Sequence, residues 1–547
     1  MTRAFGRSDG AGGHATGETL RRVAPWVLLL GVAAALRWLQ WTRSVTLFND
    51  GPRFLAAAQD FARGDWGAFL AQPHHPLFPI GVAAGHALGL DWERAAALLA
   101  VLGGTAAVGV AALFFRDAFG TRPAWIGATL LAVHSRMVEY SSDVQTDGLY
   151  LGLFGTGLWF LWRAWTRGSV RAAALGGAFA GLAYLTRPEG VGLVVGAAVL
   201  AGGAWLYGAW PARRAFEIAS VFALMAALCA APYVIAVRTV TGQVALTQKK
   251  SVVELAGGER EPIATQPPAA ATPFASGERL DAGEDGRAVV DATSRGERAW
   301  EAARMLTRTA KSAFRYGALA LLAAGLVAAR GRPTRRAVFV AVIALLYGAV
   351  LYALTLQSGY VSRRHALPAL VPLFGYVGIG ACALGAALSS RLPRAGNASA
   401  LLAAGVAAIV AIGELATQRE PRRSEERAAR AAAEWLRANA APGLLATDRS
   451  RLGYYAGMPY IALQRVDEAS LASLFDRSSV LYLLSDDPDE VEALKRAGEH
   501  GIRPIHRVRV GEREAWVFER VEPAPQESPR GSVPRCRSGA PACRAPV

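Results

Sequence analysis

Apolar runs of about 15 to 23 residues alternate with short charged clusters through the first three quarters of the chain, the length scale of helices that cross a bilayer. The first run follows Arg21 and Arg22 and continues through Arg37 and Trp38; with no small-residue cleavage site it reads as an uncleaved anchor. Further runs lie at about 95–115, 124–138, 148–162, 172–185, 191–206, 216–237, 314–329, 337–356, 366–388 and 400–416, which predicts about eleven spans. Leu77 to Leu90 is a shorter run preceded by Pro73 and Pro76, and is expected to be interfacial or re-entrant. The segment RGERAWEAARMLTRTAKSAFR, ending at Arg315, carries an apolar stripe among charges and reads as an amphipathic helix on the membrane surface.

After about residue 420 the period changes. SEERAARAAAEWLRANA, DEASLASLFD and DEVEALKRAGEHG read as helices, GLLATD and VLYLLSD as strands, YYAGMPYIAL as a loop and strand, and IHRVRV with AWVFERV as a closing hairpin. The expected architecture is an all-α polytopic membrane region over residues 21–417, a soluble α/β domain over 420–522, and disordered tails at 1–20 and 523–547. No Gly-rich phosphate fingerprint follows a strand in that domain, so no nucleotide is assigned to it.

Basic residues test the topology. RDAFGTR (116–122), RAWTRGSVR (163–171), PARR (211–214), ARGRPTRR (329–336) and SRLPR (390–394) are alternate connections, and each is basic, as cytoplasmic loops are. The amino terminus is then cytoplasmic, and the opposite side receives loops 44–94 and 238–313 and everything after about 417. The formal net charge of +16 sits largely in those connections, so it points to a lipid bilayer and not to nucleic acid. With 52% hydrophobic residues and only four Cys, a soluble multidomain protein and a disulfide scaffold are both excluded. Cys229 and Cys382 fall inside apolar runs, while Cys536 and Cys543 in the tail can pair or remain idle.

Four polar clusters lie on the outer side where spans emerge. Asp50 closes the first run and is followed by Arg53 and by HHPLFP with His74 and His75; VEYSSDVQTD carries Asp143 and Asp147, which share a face if helical. LTRPEG places Arg187 and Glu189 around the helix-breaking Pro188, and SGYVSRRHALP brings Tyr360, Arg363, Arg364 and His365. Sugar transfer from a lipid phosphate needs a base for the acceptor hydroxyl and a cation for the departing phosphate. An acidic cluster and an Arg cluster at one membrane face supply both, and Arg suits phosphate because its planar fork binds two oxygens. Arg363 and Arg364 also break the orientation rule, sitting on the side the other basic loops avoid. Headgroup binding or a salt bridge is the competing reading of that pair, helix capping that of Asp143 and Asp147, mutual pairing that of Arg187 and Glu189, and plain surface placement that of His74 and His75. No cofactor is demanded; a divalent metal enters only if Asp50, Asp143 and Asp147 converge. Arg37, mid-span, is expected to face the bundle interior.

In their order, an Asp ending the first span, HHPLFP, SSDVQTDGLYLGLF and LAYLTRPEG make the chain resemble the protein O-mannosyltransferase-like branch of the C-type (GT-C) membrane glycosyltransferases. That branch includes the aminoarabinose transferases of lipid A and the core-sugar transferases of rhizobial lipopolysaccharide. The resemblance covers residues 25–240 by motif, and beyond that rests on the span count and SRRHALP. It implies that Asp50 is the catalytic base, that the donor is a polyprenyl-phosphate sugar, that Asp143 or Asp147 lines the same cavity, and that Arg363 and Arg364 are similar to donor-phosphate contacts. Many members carry Asp-Glu where this chain has Asp50-Gly51, so the usual second acid is missing here.

The expected function is a membrane glycosyltransferase of a bacterial inner membrane, moving a sugar with inversion from a polyprenyl-phosphate donor to an extracytoplasmic glycan, lipid or protein acceptor. A flippase of lipid-linked sugars would show paired broken helices in two related halves, whereas TRPEG has no matching partner. A non-catalytic scaffold would place no demand on Asp50.

Overall fold

All eleven apolar runs form helix in the computed structural model, which describes residues 11–242, 295–331, 334–391, 398–462, 480–497 and 501–521. Among the described residues seven helices are long and apolar enough to cross a membrane, or eight when Gly296–Phe314 and Tyr316–Ala328, bent by 98°, count as one broken span. Thr121–Val133 and Val170–Tyr184, with 13 and 15 residues, form from predicted spans but are shorter than the ~20 residues a straight crossing takes. Leu77–Ala87, with 11 residues, keeps the short form expected of it. The first helix spans Ala11–Arg43. Residues 1–10, most of the 238–313 loop, the DEASLASLFD segment and the tail with Cys536 and Cys543 lie outside the described residues.

The amphipathic helix spans Arg295–Phe314 and turns sharply at Arg315, whose φ of 62° is left-handed and unusual for a residue with a side chain. That turn is held: Arg315 Nε lies 3.0 Å from Glu414 Oε1, and Glu414 Oε2 accepts the Ser135 amide at 2.8 Å. The helix packs on Arg335–Ser358 and on Arg363–Leu370.

Two features set the end of the bundle that carries Asp50. Trp92–Phe119 and Asp147–Arg167 meet backbone to backbone, since a Cβ on Gly148 would lie 2.2 Å from the Ala100 carbonyl oxygen and one on Gly103 2.5 Å from Leu149 Cα. Asp147, directly before Gly148, is thereby fixed against the neighbouring helix. Arg37 faces the interior as expected: it is fully buried and donates to Ser141 Oγ at 2.7 Å and to the Ala33 and Ala132 carbonyls at 2.8 and 3.3 Å. An intramembrane cation thus meets dipoles of the bundle interior instead of lipid, with its Nη2 left without a partner among the described residues.

The C-terminal domain is a five-stranded sheet in the order β2-β1-β3-β5-β4, with β1 Leu444–Thr447, β2 Tyr460–Ala462, β3 Val480–Ser485, β4 Ile502–Val510 and β5 Arg513–Arg520. β1 pairs in parallel with β2 and β3, while β5 is antiparallel to β3 and β4. YYAG, read as loop in the sequence, belongs to a helix over Ser450–Ala456, closed by Gly457 in the left-handed conformation. One sheet face packs Leu445, Leu484 and Val517 against Ala428, Ala432 and Leu436 of the Arg427–Asn439 helix, in a core that continues into Leu47, Leu55 and Val144 of the membrane region. The other face packs Leu483 and Phe518 on Val491 and Leu494 of the Pro488–Arg496 helix.

Candidate functional site

Asp50 stands at the amino end of the Gly51–Arg63 helix, where an Asp ordinarily caps by accepting an amide two or three residues on. Here Pro52 has no N–H to give, the Gly51 amide bonds the Phe48 carbonyl at 2.8 Å, and the Asp50 side chain makes no cap bond. Its Oδ2 instead accepts from Arg364 Nη1 at 3.0 Å, across 314 residues of sequence. Arg364 lies in the first turn of Arg363–Leu370, opened by Ser362 and His365 in a capping box in which His365 Nδ1 accepts the Ser362 amide at 3.3 Å. A cation at a helix amino end opposes the helix dipole, so these Arg residues are not placed by helix energetics.

A second group adjoins the first. Arg187 Nη1 reaches Asp147 Oδ1 at 2.5 Å, and the same guanidinium holds Glu189 by two contacts of 2.8 and 3.3 Å. The break at Pro188 is tied down by Tyr347, whose hydroxyl donates to the Glu189 carbonyl at 2.8 Å. Asp147 is buried and its electrostatic surroundings include Arg187, Arg364, Glu189 and Asp50, which brings five of the predicted candidates into one cluster. Two buried polar atoms of that cluster have no hydrogen-bond partner among the described residues: Asp147 Oδ2, an acceptor, and Arg364 Nε, a donor. Buried polar groups are paired in the great majority of cases, so orphans of opposite type in one cluster mark a place that receives a ligand.

Other candidates separate from it. Asp143 and Asp147 do not share a helix face, because Asp147 begins a helix and Asp143 lies in the turn before it. Asp143 Oδ2 meets Arg423 Nη2 at 2.5 Å, and its Oδ1 accepts the amides of Phe48 and Val144 at 3.2 and 2.8 Å. His74 and His75 are buried, not at the surface; His74 packs on Phe54 at 4.5 Å between ring centroids, and His75 on Tyr184 and Tyr233 at 4.9 and 5.3 Å. Tyr360 stays near His365, with ring centroids 6.2 Å apart, and Arg53 lies in the first turn of the helix after Asp50. Among the described residues no group of three or more His, Cys, Asp or Glu is arranged to hold a metal ion, because Asp143 is drawn off by Arg423 and an Arg stands at both Asp50 and Asp147. No step is derived through a metal.

Sequence reasoning missed Arg423, Glu426, Arg451 and Tyr455, which grip the segment before Asp50. The only advance signal was REPRRSEER, a basic cluster on the side where Arg is scarce, like Arg363 and Arg364.

The architecture is shared with solved structures. ArnT from Cupriavidus metallidurans bound to undecaprenyl phosphate matches with a TM-score of 0.55 and 15% identity over 90% of this chain and 98% of that one. The Archaeoglobus fulgidus oligosaccharyltransferase complexed with Zn and sulfate gives a TM-score of 0.57 and 14% identity over 84% and 68%. The same organism's AglB, with an inhibitory peptide and a dolichol-phosphate, gives 0.54 and 14% over 86% and 70%. At such identities the likeness establishes the fold, which is that of GT-C-type membrane glycosyltransferases. Residues 72–241 match the family profile described as Dolichyl-phosphate-mannose-protein mannosyltransferase. No curated protein matches it.

Proposed function

We propose that the protein transfers a sugar, with inversion, from a polyprenyl-phosphate donor to a hydroxyl of an extracytoplasmic glycan, lipid or protein acceptor at a bacterial inner membrane. The observation that carries this reading is the Asp50–Arg364 contact of 3.0 Å beside the orphaned Asp147 Oδ2 and Arg364 Nε. Asp50 takes the proton of the acceptor hydroxyl as its oxygen attacks the anomeric carbon; the bond to the phosphate oxygen breaks, and the phosphate leaves with its charge held by Arg364. Asp147 Oδ2 accepts from a second donor hydrogen and orients one of the substrates. Attack opposite the leaving group in one step inverts the anomeric centre.

The ion pair gives the reaction an order. A carboxylate held by Arg is a poorer base than a free one, because the cation favours its charged form. Donor phosphate competes for the Arg364 fork, and its arrival releases Asp50 to act. The lipid phosphates named in the ArnT and AglB structures support a donor of this chemistry.

The test is transfer from a labelled polyprenyl-phosphate sugar in membranes. Asp50→Asn should reduce turnover by about 10²–10⁴-fold, the span of general-base contributions, with donor binding retained. Full turnover in that variant removes Asp50 from the chemistry, and a wild type inert across a broad donor panel removes the reading itself.

A further inference from the structure

The seven residues from Ser44 to Asp50 have no regular structure, yet Thr46 and Leu47 are buried, so their main-chain groups must find partners inside the protein. They find them in the last quarter of the chain. The Val45 amide donates to the Arg422 carbonyl at 3.0 Å, and the Val45 carbonyl accepts from Arg430. Arg423 Nε gives the Thr46 carbonyl a 3.0 Å bond, and Thr46 Oγ1 donates to Glu426 Oε2 at 2.7 Å. The Leu47 amide donates to Tyr455 Oη at 3.0 Å. Ser450 Oγ donates to the Asn49 carbonyl at 2.7 Å, and Arg451 bridges Asn49 Oδ1 to Glu426. Phe48 is held by Asp143, which is itself held by Arg423, and the Ser44 amide bonds back to the Trp41 carbonyl at 3.0 Å.

We infer that the C-terminal α/β domain and the linker before it position Asp50: through Arg423, Glu426, Ser450, Arg451 and Tyr455 they clamp residues 45–49 and so fix where the carboxylate stands relative to Arg364. The inference rests on the glycosyltransferase reading of Asp50. The continuity of the domain's core with Leu47, Leu55 and Val144 argues the same way, since polar clamp and apolar core grip one segment. The clamping side chains are positioning residues, and through them the domain is a working part of the site.

The experiment uses the full chain in lipid nanodiscs, with two readouts: amide hydrogen exchange over 44–52, and steady-state transfer. Tyr455→Phe, which removes one oxygen, and Arg451→Ala should both accelerate exchange over 44–52 by about ten-fold or more while the Trp92–Phe119 helix keeps its protection. Turnover should fall by roughly ten- to hundred-fold, as a displacement near 1 Å produces, with donor KM within about two-fold of wild type. Arg451→Lys should recover part of both losses, and Arg503→Ala, in an exposed pair with Glu519, should change neither. Unchanged exchange over 44–52 in Tyr455→Phe and Arg451→Ala overturns the clamp, and faster exchange with wild-type turnover overturns its positioning role. If wild type transfers no sugar, the glycosyltransferase reading fails, and the exchange arm still decides the clamp.

Discussion

Two groups of Arg–carboxylate contacts lie close together at the mouth of the bundle, built from the same chemistry and used to opposite ends. In the clamp, Asp143 and Glu426 have both carboxylate oxygens engaged, Asp143 by two amides and Arg423, Glu426 by Thr46 and Arg451. In the cluster around Asp50, Asp147 is as buried as Glu426 but keeps one oxygen without a partner. Saturation distinguishes them. A carboxylate with every lone-pair direction answered by the protein serves the fold, whereas one answered by half is held ready for something that arrives.

That contrast can be broken by exchanging the expected outcomes. Asp143→Ala should cost about 3–5 kcal/mol of stability, the usual penalty for leaving a buried cation unpaired, and show as a large fall in thermal midpoint. Asp147→Asn should leave the midpoint close to wild type, because Arg187 retains Glu189, and should lower turnover by about 10–100-fold, the worth of a hydrogen bond to a charged group. If Asp147→Asn unfolds the protein and Asp143→Ala only slows it, the distinction between the groups is wrong. Arg364→Lys keeps the charge but loses the fork, and should weaken donor binding about ten-fold, read by titration with an unlabelled polyprenyl phosphate. Unchanged affinity removes Arg364 from the phosphate site.

The smallest effect belongs to Asp448, outside the membrane, whose pKa burial raises above its ordinary value although Arg449 at 3.0 Å opposes the shift. Between its ordinary and its raised pKa the folded chain holds a proton the unfolded chain has lost, so stability falls as pH rises through that window. Asp448→Asn should therefore raise the thermal midpoint slightly at neutral pH and leave it unchanged below the ordinary carboxylate range. A gain confined to acid pH would reverse the sign and refute the assignment.

Much of this was legible in the chain because it is written locally. The apolar runs, the helix over Arg295–Phe314 and the hairpin of β4 and β5 each follow from a periodicity within about 20 residues, and each formed. Arg363 and Arg364 stood out because they sit on the side the other basic loops avoid, and Arg187 with Glu189 because they flank the helix-breaking Pro188. The clamp was not legible: Arg423 meets Asp143 across 280 positions and Arg451 meets Asn49 across 402, and nothing in local spacing records such pairings. His74 and His75 misled because polarity and flanking prolines suggested exposure, while the aromatic neighbours that bury them come from Phe54, Tyr184 and Tyr233, in other elements.

The elbow at Arg315 also works as a depth gauge. Arg304, Arg308, Lys311 and Trp300 on the Arg295–Phe314 helix are residues that suit the waterline of a bilayer, and the chain turns by 98° from that helix into Tyr316–Ala328. Because the Arg295–Phe314 helix rests on Arg363–Leu370, the place of Arg364 is tied to that of the amphipathic helix. On the proposed reading, a lipid-anchored phosphate rides at that same waterline, so the two meet by lateral diffusion alone and the search for substrate is confined to a plane.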